Sequence, residues 1–401
     1  MGRRRDLLGK LALAGGSLAV TLAGLELAAR GIVRRRESQP HTTRGSILRF
    51  DPKLGWSKPP LAAGWLHRPE YDVHLETNSH GLRGPDRDYA KPPHTRRILL
   101  LGDSFTEGFT VREEATVRAV LESILRRSGC GDWEVINAGT MGYGTDQEYL
   151  FFQGEGRRYQ PDVVVLLFFY NDLNGNLATD AKPYFTVEQD RLVLHGSPVP
   201  PPRGGEWTRR PEPRPLHVRP WRGSIALRLL SDRTEQGNPR LNRFLARMGL
   251  VEPARTQDLP ADFWPFGPGH HQEVAEMWRR TEAILSALRR EAESSAARFA
   301  VFYVPDETEI DDRVADLTRQ RYGMGPRWWR AGRVFDRLRG FSADRDITLL
   351  DPRFAFQEAK RRGVQAYFPE DGHWNEEGHR VAAEVLARAL RRQGWVACAS
   401  P

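Results

Sequence analysis

The run Arg97-Ile-Leu-Leu-Leu-Gly-Asp-Ser104 decides the fold, because it joins a short apolar segment to a glycine and two polar residues. The apolar part is too short for a typical helix and fits a parallel strand buried on both faces. A serine directly after such a strand lies on a tight turn, at the sheet edge where open α/β sheets bind ligands. Ser104 is therefore a candidate nucleophile, although for the tripeptide alone an Asp-Ser helix cap is the favoured explanation.

Strand-like and helix-like segments alternate after this run. Strands are predicted at 97–101, 133–136, 163–170, 299–304 and 348–350. Helices are predicted at 116–127, from 145 onward, and at 272–297, 328–339 and 375–393. Such alternation predicts a three-layer, flavodoxin-like, doubly wound parallel sheet with right-handed crossovers.

Residues 174–269 interrupt the alternation. They are rich in proline, arginine and tryptophan, and the prolines argue against a regular core element there. We interpret the segment as a large insertion over the edge of the sheet, with short helices at 225–230 and 240–248. For residues 198–222, a disordered linker is an equal alternative.

The N-terminus predicts a membrane helix. Arg3 to Arg5 precede a stretch from Leu11 to Ala29 whose one charged residue is Glu26. Its length is close to the roughly 20 residues that cross a bilayer. We expect an uncleaved anchor with the bulk of the chain outside the cytoplasm, and a cleaved export signal is the alternative. The predicted organisation is an anchor at 1–32, a lead-in with short strands at 33–95, and a catalytic domain at 96–397.

Charge and cysteine content narrow the function classes. The formal net charge is +8, but the arginines are scattered among acidic residues, which does not favour a nucleic-acid partner. Attraction to anionic lipid or polysaccharide is an alternative use of that charge. Cys130 and Cys398 show no metal-ligand spacing, and a disulfide and two free thiols both remain open.

Three further segments carry polar residues or glycine where a doubly wound sheet places its ligands. They are Asn137-Ala-Gly-Thr-Met-Gly142, Phe169-Tyr-Asn-Asp172 and Phe368-Pro-Glu-Asp-Gly-His-Trp374. A strand-end glycine lets a backbone N–H approach a substrate, and an asparagine offers a side-chain N–H to a developing negative charge. A histidine beside an acid supplies the base that a serine nucleophile needs.

Together the four segments resemble the SGNH hydrolases, also called GDSL-like esterases, from about residue 97 to residue 395. The resemblance implies the SGNH hydrolase fold, with Ser104 as nucleophile and His373 as base. It implies an oxyanion hole formed by Ser104, Gly142 and Asn171, with Gly139 as the alternative glycine. It implies no metal and no organic cofactor.

The acid block departs from the common family pattern, in which the acid lies three residues before the histidine. That position is Glu370, whereas this chain has Asp371-x-His373-Trp374. The spacing resembles the branch that includes alginate-modifying O-acetyltransferase and acetylesterase domains. We therefore predict Asp371 as the acid, with Glu370 second.

The resemblance implies two-step acyl transfer through an acyl-serine. The expected substrate is an acyl ester of carbohydrate or lipid at the cell envelope, O-acetylated carbohydrate first, with the membrane as a partner through the N-terminal helix. A polysaccharide O-acyltransferase with the same residues is an alternative. A non-catalytic carbohydrate-binding or scaffold protein of the same fold is a second one.

Overall fold

The computed structural model describes residues 47–202, 259–325 and 329–398, together with a helical stretch at 20–31 and a few isolated positions. The chain divides into two units. The larger comprises Thr42–Arg210, Leu259–Ala315 and Gly325–Pro401, and the smaller comprises Met1–His41, Pro211–Asp258 and Asp316–Met324. The helices predicted at 225–230 and 240–248 fall almost entirely outside the described residues.

Eleven strands are described, all of them in the larger unit. They are β1 (Arg49–Asp51), β2 (Gly55–Ser57), β3 (Ala63–His67), β4 (Asp72–Glu76), β5 (Arg96–Gly102), β6 (Trp133–Asn137), β7 (Val163–Phe168), β8 (Tyr184–Glu188), β9 (Arg191–His195), β10 (Arg298–Tyr303) and β11 (Thr348–Leu350). Five of them form a central parallel sheet in the order β11-β10-β7-β5-β6. The prediction of an α/β fold with a central parallel sheet is confirmed.

Ten α-helices accompany these strands in the part of the chain from residue 47 on that the structure describes. They are α1 (Ser104–Glu107), α2 (Val117–Arg127), α3 (Thr145–Gly154), α4 (Asn171–Gly175), α5 (His271–Ser294), α6 (Glu307–Ile310), α7 (Asp312–Arg321), α8 (Arg333–Asp344), α9 (Arg353–Arg361) and α10 (Glu376–Arg392). Helix α10 packs on α2, and α5 packs on α3. Every residue of β7 is buried, as expected for a central strand covered on both faces.

Several elements differ from the sequence prediction. The helix predicted at 328–339 begins only at Arg333 and continues to Asp344. Within the segment interpreted as an insertion, β8 and β9 form an antiparallel hairpin that ends before Pro198. Helices α4, α6, α7 and α9 were not predicted. Across the described residues, none of the helices is both long and apolar enough to span a bilayer, so the predicted membrane helix is not found among them.

The lead-in forms two antiparallel hairpins, β1–β2 and β3–β4. Along β3 and β4, alternate residues point inward, and Leu66, Val73 and Leu75 are buried. These side chains form an apolar cluster with Tyr71 and with Phe109, which follows α1. The lead-in is therefore packed against the segment that carries Ser104.

Candidate active site

A tight turn links β5 to α1 and presents Ser104. Gly102 has a φ of +151°, and a Cβ there would lie 2.0 Å from Thr106 Oγ1, so only glycine fits. Asp103 is the N-cap of α1, and its Oδ1 accepts the Phe105 N–H at 2.9 Å. Both readings of the tripeptide hold, because Asp103 caps the helix while Ser104 begins it. The Ser104 N–H, as the first of the helix, has no intrahelical acceptor.

Ser104, His373 and Asp371 lie in one hydrogen-bonded line. Ser104 Oγ is 2.8 Å from His373 Nε2, and His373 Nδ1 is 2.5 Å from Asp371 Oδ1. The two residues joined by the first contact are 269 positions apart in the chain. This is the geometry in which an imidazole accepts a serine proton while a carboxylate fixes its tautomer.

The loop that carries His373 is fixed by packing and by backbone hydrogen bonds. The ring of His373 contacts the Phe105 and Phe109 rings, with centroids 4.7 and 4.9 Å away. Trp374 is fully buried, and its carbonyl accepts the Thr110 hydroxyl at 2.8 Å. Asn375 caps α10, because its side chain accepts the Glu377 and Gly378 N–H groups. Little freedom remains for the histidine between these anchors.

The structure separates the two candidate acids. Asp371 contacts His373, whereas the Glu370 carboxylate makes no hydrogen bond with any described residue. Burial opposes ionisation of Asp371, but the hydrogen bond and charge of His373 and the Tyr71 hydroxyl outweigh it, so the pKa of Asp371 lies below its usual value. Asp371 thus has the position and the ionisation that the role of the acid requires.

Asn171, the first residue of α4, lies beside the nucleophile turn. Its Nδ2 donates to Asp103 Oδ2 at 3.1 Å, and Ser104 Oγ is 3.4 Å from the same oxygen. Asp103 is fully buried, and burial raises the pKa of its carboxyl although the Phe105 N–H and Asn171 oppose the shift. A single carboxyl therefore ties Asn171 to the serine turn.

The two candidate glycines differ in what their N–H groups do. The Gly139 N–H donates to Asn137 Oδ1 at 2.9 Å, and a Cβ there would lie 2.3 Å from the Glu107 backbone nitrogen. The Gly142 N–H has no acceptor among the described residues, and its φ of +77° suits glycine. The neighbouring Thr140 N–H donates to Gly102 O at 3.0 Å, which holds this loop against the nucleophile turn. Gly139 is thus committed to packing, and Gly142 has a donor available.

Several lead-in residues that support this site carry no signal in the sequence. The Lys58 ammonium donates to Gly139 O and, at 3.0 Å, to Thr140 Oγ1. Burial lowers the pKa of Lys58, while Glu107 opposes the shift. Trp56 Nε1 donates to Met141 O at 3.0 Å. No local pattern marks these residues, because their partners lie more than 80 positions away.

The described part of the chain contains no candidate metal-binding site. No group of three or more histidine, cysteine, aspartate or glutamate residues there is arranged to hold an ion. His379, six residues after His373, is buried at the start of α10, and its Nδ1 accepts the Val117 N–H at 3.3 Å. Burial lowers the pKa of His379 to about 3. It is therefore a neutral packing residue.

Residues 100–381 match the model of the GDSL-like lipase/acylhydrolase family. The chain is similar to an acetyl xylan esterase, AlAXEase, with 13% identity over 73% of this chain and 99% of the other, at a TM-score of 0.34. It is similar to the lipase/acylhydrolase from Enterococcus faecalis, with 13% identity over 76% and 100% of the two chains, also at 0.34. No curated protein matches significantly. Since the family match spans well over half of the chain, the protein belongs to the GDSL-like lipase/acylhydrolase family and is an ester-bond hydrolase.

Proposed function

We propose that the protein is a serine esterase that removes acyl groups, acetyl groups first among them, from carbohydrate through an acyl-serine intermediate. The observation that carries the proposal is the line from Ser104 Oγ to His373 Nε2 and from His373 Nδ1 to Asp371. Within the family, this arrangement supports Ser104 as nucleophile, His373 as general base and Asp371 as the acid.

In the first step, His373 Nε2 takes the Ser104 proton while Ser104 Oγ bonds to the ester carbonyl carbon. The carbonyl oxygen becomes an oxyanion, for which the proposed donors are the N–H groups of Ser104 and Gly142 and the Asn171 Nδ2. Each such donor is worth roughly 3 kcal/mol of barrier. When the tetrahedral intermediate collapses, the alcohol leaves with the proton from His373.

In the second step, water attacks the acyl-serine while His373 again accepts a proton. Collapse releases the carboxylic acid and returns the proton to Ser104. Transfer to a sugar hydroxyl uses the same steps with a different nucleophile, so the same residues serve an O-acyltransferase.

The outer face of the β3–β4 hairpin, opposite to the face that packs on Phe109, has a surface suited to sugar binding. Trp65 is 48% exposed on its outer face, which is unusual for so large an apolar ring. It stacks near His67 and His74, at centroid distances of 5.8 and 5.0 Å, and charged Asp72 and Glu76 lie alongside. A flat ring beside polar groups suits the apolar face and hydroxyls of a sugar.

The test compares p-nitrophenyl acetate with p-nitrophenyl octanoate, and then measures acetate release from an acetylated xylo-oligosaccharide. The full chain is expected to prefer acetate over octanoate by at least about tenfold, since one methylene alone changes rates substantially in a fitted pocket. A preference for octanoate, with no acetate released from the oligosaccharide, would contradict the carbohydrate proposal. Acetate appearing on an unacetylated oligosaccharide acceptor would instead favour transfer.

We also propose a location outside the cytoplasm, anchored by the N-terminal segment from Leu11 to Ala29. Cys130 and Cys398 form a disulfide, and such bonds persist in oxidising compartments. When intact cells are lysed directly into denaturant that contains polyethylene-glycol maleimide, both cysteines of the wild type should accept the label only after prior reduction, and a Cys398→Ser variant should accept one label without reduction. Two labels before reduction would contradict the location.

The anchor has a separate test. Carbonate extraction should leave the protein with the membranes, and its full release would contradict the anchor.

A further inference from the structure

The turn between β3 and β4 reaches the loop that carries the proposed acid and base. The turn is closed by a hydrogen bond from the Arg68 N–H to Tyr71 O at 2.9 Å. From it, Tyr71 donates its hydroxyl to Asp371 Oδ2 at 2.9 Å. The two residues lie 300 positions apart in the chain.

Packing holds the ring of Tyr71 in the position from which its hydroxyl contacts Asp371. Tyr71 is buried in the apolar cluster of the hairpin, and its ring lies 6.2 Å from Phe109 and 5.0 Å from Phe368, between centroids. Burial and the nearby Asp371 charge raise the pKa of Tyr71, so the hydroxyl remains a proton donor. The donor is therefore preorganised, and it remains protonated through the neutral range.

Glu70, the residue before Tyr71, also binds the loop that carries Asp371 and His373. Its carboxylate accepts the backbone N–H of Glu370 at 3.0 Å and that of Asp371 at 2.7 Å. Asp371 is thus held at its backbone by Glu70 and at its carboxylate by Tyr71. Hydrogen bonds to a carboxylate are charge-assisted and stronger than neutral ones.

We propose that Tyr71 is a positioning residue that fixes the Asp371 carboxylate and thereby sets the basicity of His373. The inference rests on the proposed function, because it assigns Asp371 and His373 their roles. With Oδ2 engaged by Tyr71, Oδ1 faces His373 Nδ1. The hydroxyl also draws negative charge away from Oδ1, which limits how strongly the carboxylate stabilises the imidazolium.

The other ionisable groups near Tyr71, Asp371 and His373 lie on three elements. They are Asp103 from the nucleophile turn, His379 from α10, and Arg68 and Glu70 from the hairpin turn. None of them hydrogen-bonds to the Asp371 side chain. Within the described chain, Tyr71 and His373 are the side chains that hydrogen-bond to that carboxylate.

The test is Tyr71→Phe, which removes the hydroxyl and keeps the ring in its cluster. With p-nitrophenyl acetate, kcat is expected to fall about tenfold with KM little changed, as for loss of a hydrogen bond to a charged group outside the substrate site. Without the hydroxyl, Asp371 carries more charge toward His373, so the acid limb of the pH–rate profile should move upward by about half a pH unit. An NMR titration of the His373 Cε1–H should show the same upward shift.

Tyr89→Phe is the matched control. It also removes a tyrosine hydroxyl bound to a carboxylate, that of Glu155, and Tyr89 contacts no residue of the candidate site. Its kcat and pH profile should equal those of the wild type. Equal effects in the two variants would overturn the inference, as would an unchanged His373 titration in Tyr71→Phe.

A double-mutant cycle with Asp371→Asn adds a readout that general destabilisation would not reproduce. If Tyr71 acts through Asp371, Tyr71→Phe should hardly change the rate at which a fluorophosphonate labels Ser104 in the Asp371→Asn background. A full tenfold loss there would overturn the inference. Failure of the proposed function looks different, because Ser104→Ala would then keep its esterase activity. If Ser104→Ala is inactive while Tyr71→Phe keeps the kcat and pH profile of the wild type, only the role of Tyr71 is contradicted.

Discussion

Replacing Ser104 with alanine is expected to lower kcat/KM for p-nitrophenyl acetate by about 10⁴-fold or more, since the nucleophile is removed. The change deletes one oxygen at the end of the line to His373 and leaves the Asp103 cap and the Gly102 turn in place. The fold should therefore be retained, with the thermal midpoint within a few degrees of the wild type. The measurement is initial-rate kinetics on the full chain, with circular dichroism to check folding.

Ser342→Ala is the matched control for this loss. Ser342 is also a buried serine, it lies in α8, and its hydroxyl has no hydrogen-bond partner among the described residues. Its removal should leave the rate unchanged. A fluorophosphonate should label the wild type on the peptide that contains Ser104, and the label should be absent from Ser104→Ala. Activity of Ser104→Ala within tenfold of the wild type would refute the nucleophile assignment.

Replacing Asp371 with asparagine is expected to lower kcat by about 10³- to 10⁴-fold, because an amide at this position favours the wrong imidazole tautomer. In the wild type, Asp371 Oδ1 faces His373 Nδ1, which therefore carries the proton and leaves Nε2 free to accept one from Ser104. An asparagine N–H directed at Nδ1 would instead leave Nδ1 without a proton. Nε2 would then carry the proton and could not accept one from Ser104.

Glu370→Gln supplies the comparison, since it removes the same charge from the adjacent residue. The Glu370 carboxylate makes no hydrogen bond with a described residue, while its backbone N–H is bound by Glu70. This variant should keep nearly the whole wild-type kcat. If Glu370→Gln were the inactive variant and Asp371→Asn the active one, the acid would be Glu370 and the structural assignment would be wrong.

The sequence predicted the sheet well because its strands are local apolar runs. The run before Ser104 and the run at 163–170 correspond to the buried strands β5 and β7, and β7 ends at Phe168. Helix α8 was misplaced at its start, since tryptophan and arginine near residue 328 suit a helix without requiring one. The β8–β9 hairpin was missed because the prolines after it dominated the composition of the whole segment.

The four site segments were predictable because each combines a strand end or helix start with a polar residue. The preference for Asp371 over Glu370 rested on the resembled Asp-x-His-Trp spacing alone, since adjacent carboxyl residues differ only in the direction in which the loop presents them. Tyr71, Lys58 and Trp56 escaped prediction for another reason. A tyrosine in an alternating strand segment, and a lysine or tryptophan near a turn, fit ordinary surface or packing roles. Only the fold brings them to residues far along the chain.

The lead-in hairpins bear on where the smallest working enzyme begins. The family match starts at residue 100, yet the lysine that holds the glycine loop and the tyrosine that holds the acid lie before it. At the other end the match stops at residue 381, ahead of the cysteine that closes the disulfide. A fragment limited to residues 100–381 would retain all the proposed catalytic groups. It would lose the lysine and tyrosine that support them from the N-terminal side and the disulfide on the C-terminal side. We therefore expect the functional unit of this protein to extend beyond the family match at both ends.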